Sequence, residues 1–234
     1  MDVKGYYDEY AGRQAAVGVN KRHRAIRDWA VRFGMRPDHS VLEIGCGIGT
    51  LTGLLAEELG SGGSITAVDL SPVSIEAARQ RLRGFDNVRL LAADVLETDV
   101  EGSFDVVVLP DVIEHIPVDR HRALFERVSS WVKPDGFVLL NYPSPHYQEW
   151  NREHHPDRLQ IIDQTIHADA LASNAYPNEL YIHHLATYSI WVREGDYVVV
   201  VLRPLAGPGG FTELPPPRVS PVGRAVRRLR RLFK

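Results

Sequence analysis

Gly45, Gly47 and Gly49 alternate through Val41-Leu42-Glu43-Ile44-Gly45-Cys46-Gly47-Ile48-Gly49-Thr50, between a short apolar run and a helix-like stretch. A turn stripped of Cβ atoms lets a ligand lie directly on the backbone at the start of a helix, where N–H groups point outward. The next two apolar runs each end in a carboxylate, Asp69 in Ala67-Val68-Asp69-Leu70 and Asp94 in Ala92-Ala93-Asp94-Val95. Asp69 comes 24 residues after Gly45, where a strand-end carboxylate can accept hydrogen bonds from a ribose diol. Asp94 can accept from the exocyclic amine of adenine, while Val95 offers a backbone donor to the ring. Together these residues describe a nucleoside site. The dinucleotide fingerprint G-x-G-x-x-G would need a third glycine where Thr50 stands, which disfavours a pyrophosphate cradle. Glu43 lies within the apolar run. A buried carboxylate without a partner is costly, so it must bond the loop or a ligand. Cys46 reads as a small residue tolerated by the loop.

Groups able to move a proton follow the fourth and fifth apolar runs. Asp111 and His115 come after the run 104–109, and His146 after the run 137–142. Histidine titrates near neutrality, which suits a general base. Aromatic side chains that could line an acceptor pocket are Tyr6 and Tyr10 early in the chain and Tyr142, Tyr147 and Trp150 after the fifth run. No metal is expected. The histidines between 146 and 184 lack the four-residue spacing of a zinc-binding helix, and a single cysteine, Cys46, excludes a multi-cysteine site or a disulfide framework.

These residues need a scaffold that brings strand ends together. Short apolar runs at 41–44, 65–68, 88–91, 104–109 and 137–142 alternate with helix-like stretches at 51–59, 72–83 and 119–132. Such alternation predicts βαβ units and a parallel sheet. Two further strand-like runs, 180–192 and 197–202, are too close for a helical crossover and should form an antiparallel hairpin. The expected fold is α/β: a Rossmann-like mixed seven-stranded sheet, five parallel strands plus a C-terminal antiparallel hairpin, flanked by helices. Residues 1–36 read as helical, with Ile26, Trp29, Ala30 and Phe33 on one face and Gly34 as terminator. Residues 37–205 form the core with an acceptor-side insertion at 143–179, and 206–234 a Pro-rich linker and basic amphipathic tail.

The four segments LEIGCGIGT, AVDLS, AADV and FDVVVLPDVIEHI, in that order, resemble motifs I to IV of the class I S-adenosylmethionine-dependent methyltransferases. The resemblance spans residues 41–142 and continues through the hairpin. Asp111-Val112-Ile113-Glu114-His115 is similar to the E-x-L-E-H stretch of relatives of the ubiquinone-biosynthesis type. It implies S-adenosyl-L-methionine as cofactor, with residues 1–36 as an N-terminal helical lid. It also implies that Gly45, Cys46 and Gly47 line the methionine and ribose, with Glu43 orienting the loop and the amino group. Asp69 and Leu70 would hold the ribose, Asp94 and Val95 the adenine, and the backbone at Leu109 and Pro110 would face the methionine amino group. In those relatives an arginine three residues after an asparagine binds the methionine carboxylate. Here His23 follows Asn20 at that distance and Arg22 is adjacent, so either could serve. The implied reaction is methyl transfer to a small molecule, foremost at oxygen, with nitrogen or a carboxylate of a sugar, peptide or lipid-linked substrate as alternatives. A non-catalytic nucleotide-binding regulatory module on the same fold is the rival of a different class.

The formal charge of -3 is a sum of unlike parts. Residues 218–234 carry seven bases and no acid, and the rest of the chain holds 20 bases against 30 acids. An acidic body argues against nucleic acid as a partner. The tail places Val222, Val226, Leu229 and Phe233 in one stripe among arginines, a pattern suited to peripheral contact with an anionic membrane or an acidic partner. No apolar signal core or membrane-length segment is evident, and a cytoplasmic protein is expected.

Overall fold

Aliphatic runs that alternate between two buried faces build one mixed sheet. The computed structural model describes Gly5 and residues 18–205. Tyr6, Tyr10, the lid before residue 18 and the segment 206–234 with its basic stripe lie outside the described residues. In chain order come α1 (Lys21–Arg32), β1 (Ser40–Ile44), α2 (Thr50–Leu59), β2 (Ser64–Asp69), α3 (Pro72–Arg81), β3 (Val88–Ala92) and β4 (Phe104–Pro110). They are followed by α4 (His121–Trp131), β5 (Val132–Pro143), α5 (Pro145–His154), α6 (Ala168–Ala175), β6 (Leu180–Tyr188) and β7 (Tyr197–Pro204).

The strand order is β3-β2-β1-β4-β5-β7-β6. The first five strands pair in parallel. The last strand of the described residues, β7, runs antiparallel between β5 and β6. The chain order reverses between β1 and β4, and the crevice outside their carboxyl ends is where open α/β sheets bind ligands. Strand alternation sorts the core into two layers. Leu42, Ile44, Val107, Leu109, Val138 and Leu140 pack with Leu124, Phe125 and Val128 of α4. Val41, Val106, Val108 and Leu139 pack on the other face with Ile26 and Ala30 of α1 and Leu51 and Leu55 of α2. Each fully buried aliphatic side chain contributes about 1.5–3 kcal/mol.

The helix starts follow local chemistry. Asn20 caps α1 by accepting from the Arg22 and His23 N–H groups, while the His23 ring accepts from the Asn20 N–H, a reciprocal box. Ser71 accepts from the Ser74 N–H, with Pro72 at the first helical position of α3.

Most elements match their expected bounds to within two residues, and two strands differ by more. The strand expected at 180–192 stops at Tyr188, because the buried Asp196 carboxylate accepts from the Ile190 and Trp191 N–H groups at 2.7 and 2.9 Å and folds 189–196 into a turn. The strand expected at 137–142 begins at Val132, where Val132 pairs with Phe104 before a register shift to Val106. The insertion 143–179 supplies α5 and α6. No helix of the described residues is long and apolar enough to cross a membrane.

Candidate functional site

The glycine turn after β1 is pinned to its neighbour strand. The Gly45 and Cys46 N–H groups both donate to the Val68 carbonyl, at 2.7 and 3.1 Å. Gly45 has φ +77°, and a Cβ there would collide with Val112 Cγ2. Gly49 has φ +76°, and its Cβ would stand 2.7 Å from Leu82 Cδ1. Both positions therefore require glycine on two counts, the left-handed backbone and the close approach. Asp69, at the end of β2, ties the turn together: Oδ2 accepts from the Gly47 N–H at 2.7 Å and Oδ1 from the Ser71 N–H at 2.9 Å. Asp94 accepts from the Leu96 N–H at 2.8 Å, so the turn after β3 presents its carboxylate in a fixed orientation.

These elements wall a cavity of about 660 Å³ at the carboxyl ends of the strands. Glu43, Gly45, Cys46 and Gly47 line it from β1 and its turn. Asp69, Leu70, Asp94 and Val95 line it from the two neighbouring strand ends, and Pro110, Asp111 and His115 from the turn after β4. Arg22 and His23 close it from α1. Leu109 is fully buried and outside the lining. The remaining candidates are not brought to this cavity. Tyr142 is 1 % exposed, within the core cluster that holds Val138 and Leu140. His146 is exposed on α5, and Tyr147 and Trp150 stack on each other at 6.1 Å between ring centroids.

Electrostatics divide the lining. Glu43 is fully buried, and neither oxygen has a partner at hydrogen-bond geometry among the described residues. Burial lifts its carboxyl to about 7, with the nearby Thr52 hydroxyl lowering and the Asp69 charge raising it. His23 is held down at about 4, by burial first and then by Arg22 and Arg81. It is therefore neutral at physiological pH, and its Nδ1 is occupied by the Asn20 N–H at 3.2 Å.

Beside His23, Arg22 Nη1 lies 2.5 Å from Asp111 Oδ2 and 3.5 Å from the Tyr197 hydroxyl. Asp111 has φ +52°, an unusual conformation for a residue with a side chain. Its N–H donates to the Asn141 carbonyl at 2.7 Å, and Asn141 Nδ2 reaches its Oδ1 at 3.5 Å. The Tyr188 hydroxyl in turn donates to Asn141 Oδ1 at 2.5 Å. Burial raises the Asp111 pKa against the pull of Arg22 and His115. His115 Nδ1 is 2.6 Å from the Ile162 carbonyl. A carbonyl only accepts, so Nδ1 carries the proton and Nε2 is the basic nitrogen. Burial lowers the His115 pKa, partly offset by that hydrogen bond, and keeps the ring neutral. Behind it Glu114 is 2 % exposed, pushed well above the carboxylate range by burial and then by the Asp111 charge.

Sequence reasoning did not single out Glu114, Asn141, Ile162, Tyr188 or Tyr197. Glu114 was in view within the DVIEH stretch, and only its burial gives it a place beside His115. The others come from elements 30 or more residues away from Asp111 or His115, and no local pattern announces them.

The family described as "Methyltransferase domain" matches residues 41–136. The carboxy-S-adenosyl-L-methionine synthase of Aeromonas hydrophila is 30% identical over 179 residues, 75% of this chain and 68% of that protein. The probable cobalt-precorrin-6B C(15)-methyltransferase (decarboxylating) of Thermoplasma acidophilum is 30% identical over 146 residues, 60% of this chain and 68% of that protein. Among solved structures, the N-methyltransferase NodS of Bradyrhizobium japonicum in complex with S-adenosyl-L-homocysteine shares the fold. Its TM-score is 0.62 at 18% identity, over 79% of this chain and 86% of that one.

Proposed function

The chain belongs to the class I S-adenosylmethionine-dependent methyltransferase superfamily, and from that premise we propose that it methylates a small-molecule acceptor, foremost at oxygen. The observation that carries this reading is one cavity of about 660 Å³ lined together by the glycine turn, Glu43, Asp69 and Asp94. The residues fit S-adenosylmethionine. The glycine turn lines the cavity with backbone and no side chain at Gly45 and Gly47, Asp69 and Asp94 stand at strand ends suited to ribose and adenine, and the Glu43 oxygens have no partner at hydrogen-bond geometry among the described residues.

When bound, the cofactor supplies an electrophilic methyl group; the protein supplies alignment and exclusion of water. Gly45, Cys46 and Gly47 would carry the methionine and ribose on their backbone. Asp69 with Leu70 would hold the ribose, Asp94 and Val95 the adenine, and Glu43 with the Leu109–Pro110 backbone would face the amino group. Of the two candidates for the methionine carboxylate, Arg22 is the charged one, since His23 is neutral at physiological pH.

On the acceptor side the wall is apolar at Val112, Ile116, Pro117 and Ile162, with His115 and the Gln160 amide as polar features. A neutral His115 with Nε2 as its basic nitrogen suits removal of a hydroxyl proton. Asp111 is taken up by Arg22, which leaves His115 as the candidate base; a base at the site is what an oxygen acceptor needs and a carboxylate does not. Titration calorimetry against S-adenosylmethionine, S-adenosylhomocysteine and NAD, followed by labelled-methyl transfer into a metabolite extract, tests the proposal. Binding of NAD alone would end it, and cofactor binding without transfer would reduce the protein to a binding module.

A further inference from the structure

A second cavity, of about 190 Å³, lies at the opposite end of the parallel strands, where α1 ends and β4 begins. It shares no lining residue with the methyl-transfer cavity. Two polar atoms in the side chains that wall it, Arg203 Nε and His39 Nδ1, are buried with no hydrogen-bond partner among the described residues. His39 as a whole is 7 % exposed. An unmet buried polar group costs about 1–3 kcal/mol, so two such atoms at one cavity call for an occupant.

The rest of the Arg203 guanidinium is held in place. Nη2 donates to the Phe33 carbonyl at 3.3 Å, and the group lies over the Phe137 ring, 5.7 Å from its centroid. A guanidinium nitrogen can only donate, so whatever satisfies Nε must accept. The neighbouring acids do not fill that need. Asp105 turns its Oδ2 to the Ser40 N–H, the Ser40 hydroxyl and Lys133 Nζ, at 2.7, 2.8 and 2.9 Å, and neither of its oxygens bonds Arg203 Nε. Burial would raise its pKa, but those donors hold it at about 2, a carboxylate already neutralised by Lys133. Asp135 is exposed at the rim, and Arg36 there leans on the exposed Asp38 at 3.2 Å.

We propose that this cavity binds a small oxyanion, a phosphate or a carboxylate, received by Arg203 with His39 beside it. The space, about 190 Å³, has room for such an anion together with water. The site stands independently of the methyl-transfer reading.

Long-range proton–nitrogen spectra of the full chain report the His39 ring nitrogens directly. Inorganic phosphate and, separately, acetate are titrated at fixed pH and ionic strength, with chloride as balancing ion. The expected result is a saturable shift of the His39 resonances with at least one of the two, weakened about tenfold or more in Arg203→Gln. Response to phosphate alone or acetate alone identifies the anion class. Because Arg203→Gln also gives up the Phe137 contact, amide spectra away from the cavity must match the wild type. Arg203→Lys, which keeps the charge but loses the planar Nε edge, serves as the second variant and should weaken binding in the same direction. His39 resonances that stay fixed to about 50 mM of both anions, or move equally in the folded variants, would overturn the proposal and leave water as the occupant.

Discussion

Arg22 Nη1 stands 2.5 Å from Asp111 Oδ2, and this ion pair fastens α1 to the turn after β4. The two partners are unequal. Arg22 is 29% exposed and can turn to solvent, whereas Asp111 is 13% exposed and cannot. Removing the arginine therefore strands a buried carboxylate. Arg22→Gln should destabilise the protein by about 3 kcal/mol, the low end for broken buried pairs. Asp111→Asn should cost less, since asparagine tolerates the left-handed backbone and can keep the Asn141 contact. Urea midpoints for the two variants check the order, and a larger loss for Asp111→Asn would contradict it.

The close approach at Gly45 separates two penalties. Gly45→Ala forces a φ of +77° on alanine and drives its Cβ into Val112 Cγ2. The backbone part should be about 1–3 kcal/mol. Adding Val112→Ala should recover the steric part and leave the backbone part. Denaturation of the single and double variants measures both; complete rescue by Val112→Ala would show that the backbone strain is negligible.

Glu43 and His23 bend the pH dependence of stability in opposite directions. Burial lifts Glu43 from 4.5 to about 7. The folded state keeps a proton the unfolded chain releases, so stability falls as pH rises through that window. Burial, with Arg22 and Arg81, lowers His23 from 6.5 to about 4. There the unfolded chain takes up a proton the folded state refuses, so stability falls as pH drops from 6.5 towards 4. Glu43→Gln should remove the first slope, gaining on the order of 3 kcal/mol over the wild type at about pH 8 relative to about pH 5. His23→Gln, which can keep the reciprocal cap, should flatten the acid side. Thermal melts across this range decide the matter, and parallel wild-type and Glu43→Gln curves would refute it.

His115 is the residue on which the oxygen assignment leans. His115→Asn should slow methyl transfer to the acceptor about 10²–10⁴-fold while S-adenosylhomocysteine affinity changes little. Calorimetry and single-turnover rates on the same preparation separate the two effects. An unaltered rate would remove His115 as base and point to an acceptor that needs none.

That Gly45, Gly47, Asp69 and Asp94 would meet in one cavity was legible because the signals are local. A glycine turn, Asp69 and Asp94 each sit at the end of an apolar run, and strand ends converge by topology. The surroundings of Asp111 and His115 were not. His115 is pinned by Ile162, 47 residues away, and Asp111 is held by Asn141, 30 residues away. Tyr142 shows where a local rule would have helped. It shares strand parity with Val138 and Leu140, which points it into the core, while Asn141 meets Asp111. His23 matched the position of an expected cation, but its burial and its bond to Asn20 decide its charge, and neither can be read from spacing. The end of β6 was missed because Asp196, a residue beyond the strand, folds the turn back.

The position of β7 has a consequence for how the chain is made. β5 ends at Pro143, but its outer neighbour does not begin until Tyr197. At about 5–20 residues per second of synthesis, that interval is roughly 3–11 s. Throughout it, β5 presents an unpaired edge and the strands before it form an incomplete sheet. Even β6, finished earlier, has no place in the sheet until β7 arrives to separate it from β5. A nascent chain thus carries a sticky margin until β7 closes it, and a chain stopped short of Pro204 would be exposed to aggregation, whatever the integrity of its glycine turn.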